Sequence, residues 1–405
     1  MGLYVLSKRN AIAATHYAHI YALENVIQTT CNAQIVAPVA TRWARSLHQS
    51  SLPKLLQEKI TNRVLTANQL TYRTIDRVDG LSSDEPNVLI VIGMHGADLE
   101  LLNCLKDWRS QFDLVIAFVY DAWIFDAFPN CIKQVDCLFV AIKDLIEPLH
   151  AQFKIPVSYW PYSANVLDRG SYGNCRSIDV TSYGRIPSEY HNRLFDLSDR
   201  PPASPDCLNP DSFPNSRHLF YYRQVPEATQ LYPDQPFTPK RFDYQHSVLI
   251  GNVLAKSKLA LAFDFTYTVQ RAVELPQGQL HPSYEYRKPV LGLRWYEGIA
   301  AGTALVGKRP PCSEANEQLD WEDATIELPD EPDAGVEIIL ELLQDIDRLQ
   351  AIHHRNYWNA LYRHDHRRRL AAVFAELDLP MPTGLQEQLD RMDALCARSG
   401  MLALA

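Results

Sequence analysis

Residues 294–310 read RWYEGIAAGTALVGKRP. The stretch carries one carboxylate, Glu297, behind an arginine and two aromatics and ahead of a run of small residues. It reads as a segment "LGLR" closing at a cleft, then one or two helical turns over "EGIAA". Gly302 is then a left-handed stop and "ALVG" the next strand. A helix N-terminus aimed into a cleft offers free N–H groups and partial positive charge to a phosphate. A carboxylate at that mouth can instead accept hydrogen bonds from two hydroxyls, as from a ribose diol. Glu297 is therefore a ligand group or an exposed charge, and Arg294 a phosphate contact or a structural ion-pair partner. Lys258 opens the strand-like "KLALAFDF" and is either a further phosphate contact or a solvated cation.

The first half carries a second set of candidates. His95 in "GMHGADL" follows the apolar run "NVLIVIG" and is bracketed by glycines, where the backbone is permissive. It reads as an acceptor-site or catalytic group, against the plainer alternative of a structural histidine. Asp121 ends the next apolar run, "DLVIAFVYD", on the same side. It either orients an acceptor hydroxyl or caps the following helix. His16 and His19 have the spacing of a metal pair, yet no third ligand accompanies them, so they read as core or surface histidines. There is no DxD between strands and no metal-spaced His/Asp cluster, so no metal is expected.

These residues need elements to hold them. Continuous apolar runs at 3–6, 87–93, 113–121 and 136–142 are buried parallel strands, separated by helical patterns. "Gln34–Val36" and "PVSYWPYS" (156–163) complete a first α/β series, with a long helix from about Asn10 to Val26. A second series starts at "SIDVTSYG" (177–184) and the helix "SEYHNRLFDL" (188–197), capped by Ser188. Nine prolines make 199–239 an irregular excursion, with "HLFYYRQ" (218–224) a possible strand inside it. Residues 266–290 read as a polar, aromatic loop, 333–377 as helical throughout, and 385–397 as a last amphipathic helix. The fold class is α/β, with two Rossmann-like parallel-sheet domains hinged near 160–175.

Composition bounds the function. The chain has 405 residues, 46% hydrophobic and 21% charged, which suits two soluble domains. A net charge of −9 argues against nucleic-acid binding through counterion release. The one basic run, His364–Arg369, reads as a solvated or packed helix face. No secretory h-region opens the sequence, and no window of about 18 apolar residues spans a membrane. Eight cysteines without a CxxC fit reduced thiols and a cytoplasmic location.

With these residues placed, RWYEGIAAGTALVGKRP resembles the donor-site motif of GT-B glycosyltransferases, in the branch of glycosyl transferases group 1 and the spore-maturation-like transferases. "SKLALAF" (257–263) is similar to the preceding strand of that family, and "WEDATIELPDEP" (321–332) and "YRHDHRRRL" (362–370) to its C-terminal part. "KIPVSYWPYSANV" (154–166) is similar to the interdomain passage. The resemblance implies a GT-B architecture, its two domains facing a central cleft: an acceptor domain over 1–165, a nucleotide-sugar donor domain over 166–378, and a helix over 379–405 that packs back on the first. It implies that Glu297 binds the donor ribose, that Arg294 lies in the donor loop, and that Gly302 and Thr303 sit near the donor phosphates. Arg185 resembles the basic residue that neutralises the diphosphate. Relatives with two glutamates have another eight positions before this one, where Pro289 stands here. The implied activity is transfer of a sugar from a nucleotide sugar to a glycan, lipid or small-molecule acceptor, with retention, no metal and no cofactor. The alternative is a non-transferring protein on the same architecture, either a nucleotide-sugar epimerase or a binding subunit. A periplasmic binding protein is weaker, for want of a secretory signal.

Overall fold

The computed structural model describes residues 1–10, 17–48, 60, 71–173, 175–183, 188–198, 219–224, 251, 253–263, 265–274 and 280–399. His16, Arg185 and most of the proline-rich 199–239 lie outside the described residues.

Strands β1 (Gly2–Leu6), β2 (Gln34–Val36), β3 (Asn87–His95), β4 (Leu114–Asp121), β5 (Cys137–Val140) and β6 (Val157–Tyr159) form one sheet in the order β2-β1-β3-β4-β5-β6. Every pairing in it is parallel. The uninterrupted apolar runs follow from burial on both faces. Val5, Ile90, Phe118 and Phe139 point into one cluster, and Leu6, Leu89, Ala117 and Val140 into another.

The second sheet holds β7 (Ile178–Tyr183), β8 (Tyr221–Gln224) and β9 (Ser257–Phe263). Next along the chain comes an antiparallel pair, β10 (Phe265–Glu274) and β11 (Leu280–Val290), then β12 (Ala304–Lys308) and β13 (Ile326–Glu327). Its order is β13-β12-β9-β7-β8, again parallel throughout. Two parallel sheets are the α/β class expected from the sequence.

Three elements depart from expectation. The stretch 266–290 is a hairpin rather than a loop: β10 and β11 pair from Phe265↔Val290 to Glu274↔Leu280. Its first strand meets the turn Phe125–Ala127, and Val290 is buried in the outer cluster of the first domain. Lys288 Nζ also reaches Asp144 Oδ2 at 2.5 Å. The helical 333–377 is cut into Pro332–Gln344, Ile346–Asn359 and His366–Glu376. Asp345 and Asp365 cause the breaks: each side chain accepts a backbone N–H of the next helix, from Arg348 and Arg367. The first long helix is described over Ala18–Cys31, runs past the end expected at Val26, and stops on Asn32 in the left-handed region (φ 52°).

The chain crosses from the first sheet to the second after β6. Trp160 N–H donates to Val140 O on the first sheet, while Ala164 and Asp365 form a parallel bridge. The last helix, Thr383–Arg398, buries Leu385, Leu389, Met392 and Cys396 and packs against Ala18–Cys31.

Candidate functional site

In a parallel sheet all carboxyl ends share one edge, and loops leaving that edge form ligand sites. The two such edges meet. Lys143, after β5, donates its N–H to Glu314 Oε1 at 3.2 Å and its ammonium to Glu317, both residues following β12.

On the first sheet, His95 and Asp121 are register partners at the ends of β3 and β4. His95 Nδ1 lies 3.8 Å from Asp121 Oδ2, with the imidazole 40% exposed. Nδ1 itself is shielded and has no hydrogen-bond partner among the described residues. Asp121 thus stands beside the ring but beyond hydrogen-bond distance of Nδ1. Asp98 anchors the turn that carries it, accepting the N–H groups of Met94 and His95 at 2.7 and 3.1 Å. Lys8 Nζ reaches Asp98 at 2.5 Å, and Tyr17 donates to it. Burial opposes the Asp98 charge, but Lys8 and these donors hold its pKa below the usual carboxylate value. Lys8 and Asp98 went unnoticed in the sequence, where only the three-residue offset from His95 to Asp98 hinted at a turn.

Tyr162 was also missed. Its O–H donates to Asp121 Oδ1 at 3.1 Å, and its ring stacks on Tyr120 with centroids 5.0 Å apart. On its other side lies Tyr296, with centroids 6.2 Å apart.

The donor-motif helix runs Leu293–Ala300 with Gly292 as N-cap. It therefore starts four residues earlier than the sequence suggested. The apolar pattern of Leu293, Tyr296 and Ile299 draws the whole motif into one helix, with Trp295, Tyr296 and Ile299 about fully buried. Arg294 stands in the first turn, at the carboxyl edge. Glu297 is not at the mouth; it sits one turn inside and is 5% exposed. Burial pushes its carboxyl up to about 8, against the opposing pull of the Arg294 guanidinium.

The same topology relocates three expected donor contacts. A helix leading into a parallel strand runs antiparallel to it, so the end of Leu293–Ala300 and the start of β12 lie at the amino edge. Gly302 and Thr303 are there, away from the cleft. Gly302 has φ +64°, and a Cβ on it would meet Ser171 O at 2.6 Å. Thr303 is fully buried, its hydroxyl donating to Leu254 O at 2.6 Å. Lys258, second residue of β9, shares that edge and pairs with Asp179 at 2.6 Å. Proximity in sequence to Glu297 was misleading because the helix carries the chain across the sheet. Arg176, unmarked by any sequence signal, closes this edge. Its guanidinium donates to the carbonyls of Leu254 (3.2 Å), Ser257 (2.7 Å) and Ala301 (2.9 Å).

His19 packs edge-on against Tyr120 at 4.9 Å. Among the described residues no three His, Cys, Asp or Glu side chains gather as metal ligands. A cavity of ≈ 710 Å³ lined by Asn87, Lys106, Arg109 and Asp113 lies at the amino edge of the first sheet, opposite His95.

The sequence matches no protein-family model and no curated protein. Among solved structures it is similar to Anabaena Alr3699/HepE in complex with UDP, at 10% identity and TM-score 0.46, over 93% of this chain and 100% of that one. It is similar to OtsA in its apo form, at 11% identity and TM-score 0.44, over 94% and 100%. It is also similar to TarM, at 8% identity and TM-score 0.40, over 71% and 54%. The chain thus spans about half the length of TarM, and 61% of the matched chain of the GtfA/B complex. These neighbours are GT-B glycosyltransferases.

Proposed function

We propose that the chain is a GT-B glycosyltransferase that moves a sugar from a nucleotide-sugar donor to an acceptor in the cleft between its sheets. One observation carries this reading. The motif helix Leu293–Ala300 starts at the carboxyl edge of its sheet, and Tyr296 lies against the Tyr162–Asp121–His95 cluster at the carboxyl edge of the other. This contact between the motif helix and the polar cluster supports reading the two as donor and acceptor sides of one cleft.

In this reading Glu297 receives the donor ribose, and Arg294 with the helix N-terminus steadies the charge that develops on the departing nucleoside diphosphate. Arg185 is assigned the same task. Protein cations in this role make a metal unnecessary. His95 and Asp121 hold the acceptor or the transferred sugar. The resemblance points to retention. Inversion instead needs a base near the acceptor hydroxyl, for which His95 is the candidate, and the anomeric configuration of the first product decides between them. The alternative of nucleotide-sugar binding without transfer is favoured by Pro289, which pairs with Thr266 in the hairpin where the second glutamate of relatives would stand.

Titration calorimetry with UDP and other nucleoside diphosphates, with and without a chelator, tests the reading. Binding that survives the chelator is expected. Strict dependence on magnesium would remove the metal-free mechanism, and no binding of any nucleotide would remove the donor site.

A further inference from the structure

We propose that a pocket between Tyr159 and the helix His366–Glu376 binds the carboxylate of a molecule the size of one sugar unit, with Arg369 as its counter-ion. The pocket holds ≈ 270 Å³ and lies where Tyr159 closes β6, at the carboxyl edge of the first sheet. Lys143, Tyr159 and Trp160 line it from that edge, and Gln318, Arg369 and Glu376 from helices that follow β12. Sites for drug-sized ligands run from roughly 300 to 1,000 Å³, so this one suits a single ring rather than a nucleotide sugar.

Arg369 differs from the other arginines of its run. Arg363 pairs with Asp320, Arg367 with Asp168 and Asp365, and Arg368 with Asp393. Among the described residues no carboxylate pairs with Arg369. Its partners are neutral: Nη2 donates to Gln318 Oε1 at 2.7 Å and to His364 Nδ1 at 2.9 Å. His364 Nε2 lies 2.8 Å from the Gln318 carbonyl, which can only accept, so Nε2 carries the proton and Nδ1 accepts. Burial drives the pKa of that imidazole well below its usual value and keeps it uncharged. Three of the five guanidinium N–H groups, on Nε and Nη1, therefore have no hydrogen bond to a described residue. Arg369 is half-buried, its Nε is shut off from solvent, and burial pulls the guanidinium below its usual pKa. A cation withdrawn from water without an anion is costly, and an entering carboxylate offsets that cost while matching the guanidinium fork.

The lining charges choose among anions. Lys143 is bonded to Glu317 and lies 5.0 Å from the centre of the Tyr159 ring, so that cation is already matched. Glu376 is exposed and brings a further negative charge to the pocket. One unmatched cation beside one carboxylate suits a monoanion, and Glu376 opposes a phosphate dianion more strongly. Tyr159 and Trp160 offer ring surface to the rest of the ligand.

Titration calorimetry of the full chain at neutral pH with glucuronate, glucose and glucose 6-phosphate tests this. Glucuronate should bind, and glucose, the same ring without the charge, should bind at least about tenfold more weakly, as expected for a lost charge-assisted hydrogen bond. Glucose 6-phosphate should also bind more weakly than glucuronate. Arg369→Gln should weaken glucuronate by at least about the same tenfold. Glu376→Gln, at an exposed position, should tighten it several-fold, and it serves if Arg369→Gln does not fold. No binding of glucuronate to wild type, or an unchanged affinity in either variant, would overturn the proposal. Glucose 6-phosphate binding as tightly as glucuronate would overturn the choice of a carboxylate. The pocket does not depend on the nucleotide-sugar reading, and glucuronate should bind equally with and without UDP. Displacement of glucuronate by UDP would place the carboxylate in the donor site and overturn the proposal as well. Failure of UDP itself to bind counts against the nucleotide-sugar reading and leaves the glucuronate result to decide the role of Arg369.

Discussion

Glu297 is the residue at which pH should speak. Its carboxyl is pushed up to about 8 by burial, so the free protein carries it protonated at neutral pH. A ribose diol that donates two hydrogen bonds prefers the carboxylate. Nucleotide binding should therefore expel a proton below about pH 8, and affinity should rise toward tenfold per pH unit from pH 6 to 8. Glu297→Gln should lose that slope, and it should bind much like wild type at pH 6 but worse at pH 8.5. Comparing the two at each pH by calorimetry cancels the titration of the nucleotide's own phosphate. A constant ratio between them across this range would show that the ligand does not meet the ionised group. The same shift acts on stability. An unfolded glutamate ionises from about 4.5 upward while the folded one stays neutral, so this group weakens the fold progressively between pH 4.5 and 8. Urea unfolding of Glu297→Gln should show a flatter loss over that window.

At the scale of elements, β12 depends on a glycine. Gly307 has φ +154°, and a Cβ there would stand 1.8 Å from Ala262 O on the paired strand β9. Gly307→Ala should push β12 and β9 apart, a backbone clash that costs more than the roughly 1–3 kcal/mol of an ordinary strained residue. Denaturant unfolding measures it, and a stability within about 0.5 kcal/mol of wild type, the range of a harmless surface change, would contradict the close pairing. The strands were the legible part of the sequence. Parallel strands buried on both faces leave unbroken apolar runs, and 87–93 and 113–121 needed no further context. The hairpin was not legible, because its prolines at 282 and 289 and its polar residues resemble a loop; only the alternation in "TYTVQRAV" hinted at strands. Of the candidate site, type and setting drew attention to Glu297, His95 and Asp121; the structure sets His95 beside Asp121 and buries Glu297 one turn inside its helix. The positions of Gly302, Thr303 and Lys258 were not, since which edge of a sheet a residue occupies depends on helix length and direction. Tyr162 and Arg176 were invisible for a different reason. Their partners, Asp121 at one site and the carbonyls of Leu254, Ser257 and Ala301 at the other, are distant in sequence.

Across the whole molecule, the two sheets are not independent. One apolar cluster runs from Val5 and Phe118 through Tyr162 and Tyr296 to Leu305, Leu370 and Met392. A polar clasp closes over it where the chain crosses. Arg367, 3% exposed, pairs with Asp168 at 2.6 Å and with Asp365 at 3.1 Å. Asp365 is wholly buried and also accepts the N–H of Leu167 at 2.8 Å. The basic run that reads as a solvated or packed helix face is thus in part a fastening of the late helices to the segment that crosses between the sheets. A shared core predicts one unfolding transition rather than two. Arg367→Met keeps the bulk of the side chain but leaves the Asp365 charge buried with its cation removed. Breaking such a pair from one side costs about 3–5 kcal/mol. The expected outcome is a lower melting temperature that remains a single transition, because the clasp and the shared apolar cluster lie at the same boundary. Deleting residues 380–405 should act in the same place from the other side, by uncovering the surface of Ala18–Cys31 that Leu385, Leu389 and Met392 bury. Scanning calorimetry distinguishes the possibilities. Two separated transitions in either variant would mean that the sheets fold as independent units joined only by the clasp. An unchanged melting temperature in both would mean that neither the clasp nor the last helix holds the domains together.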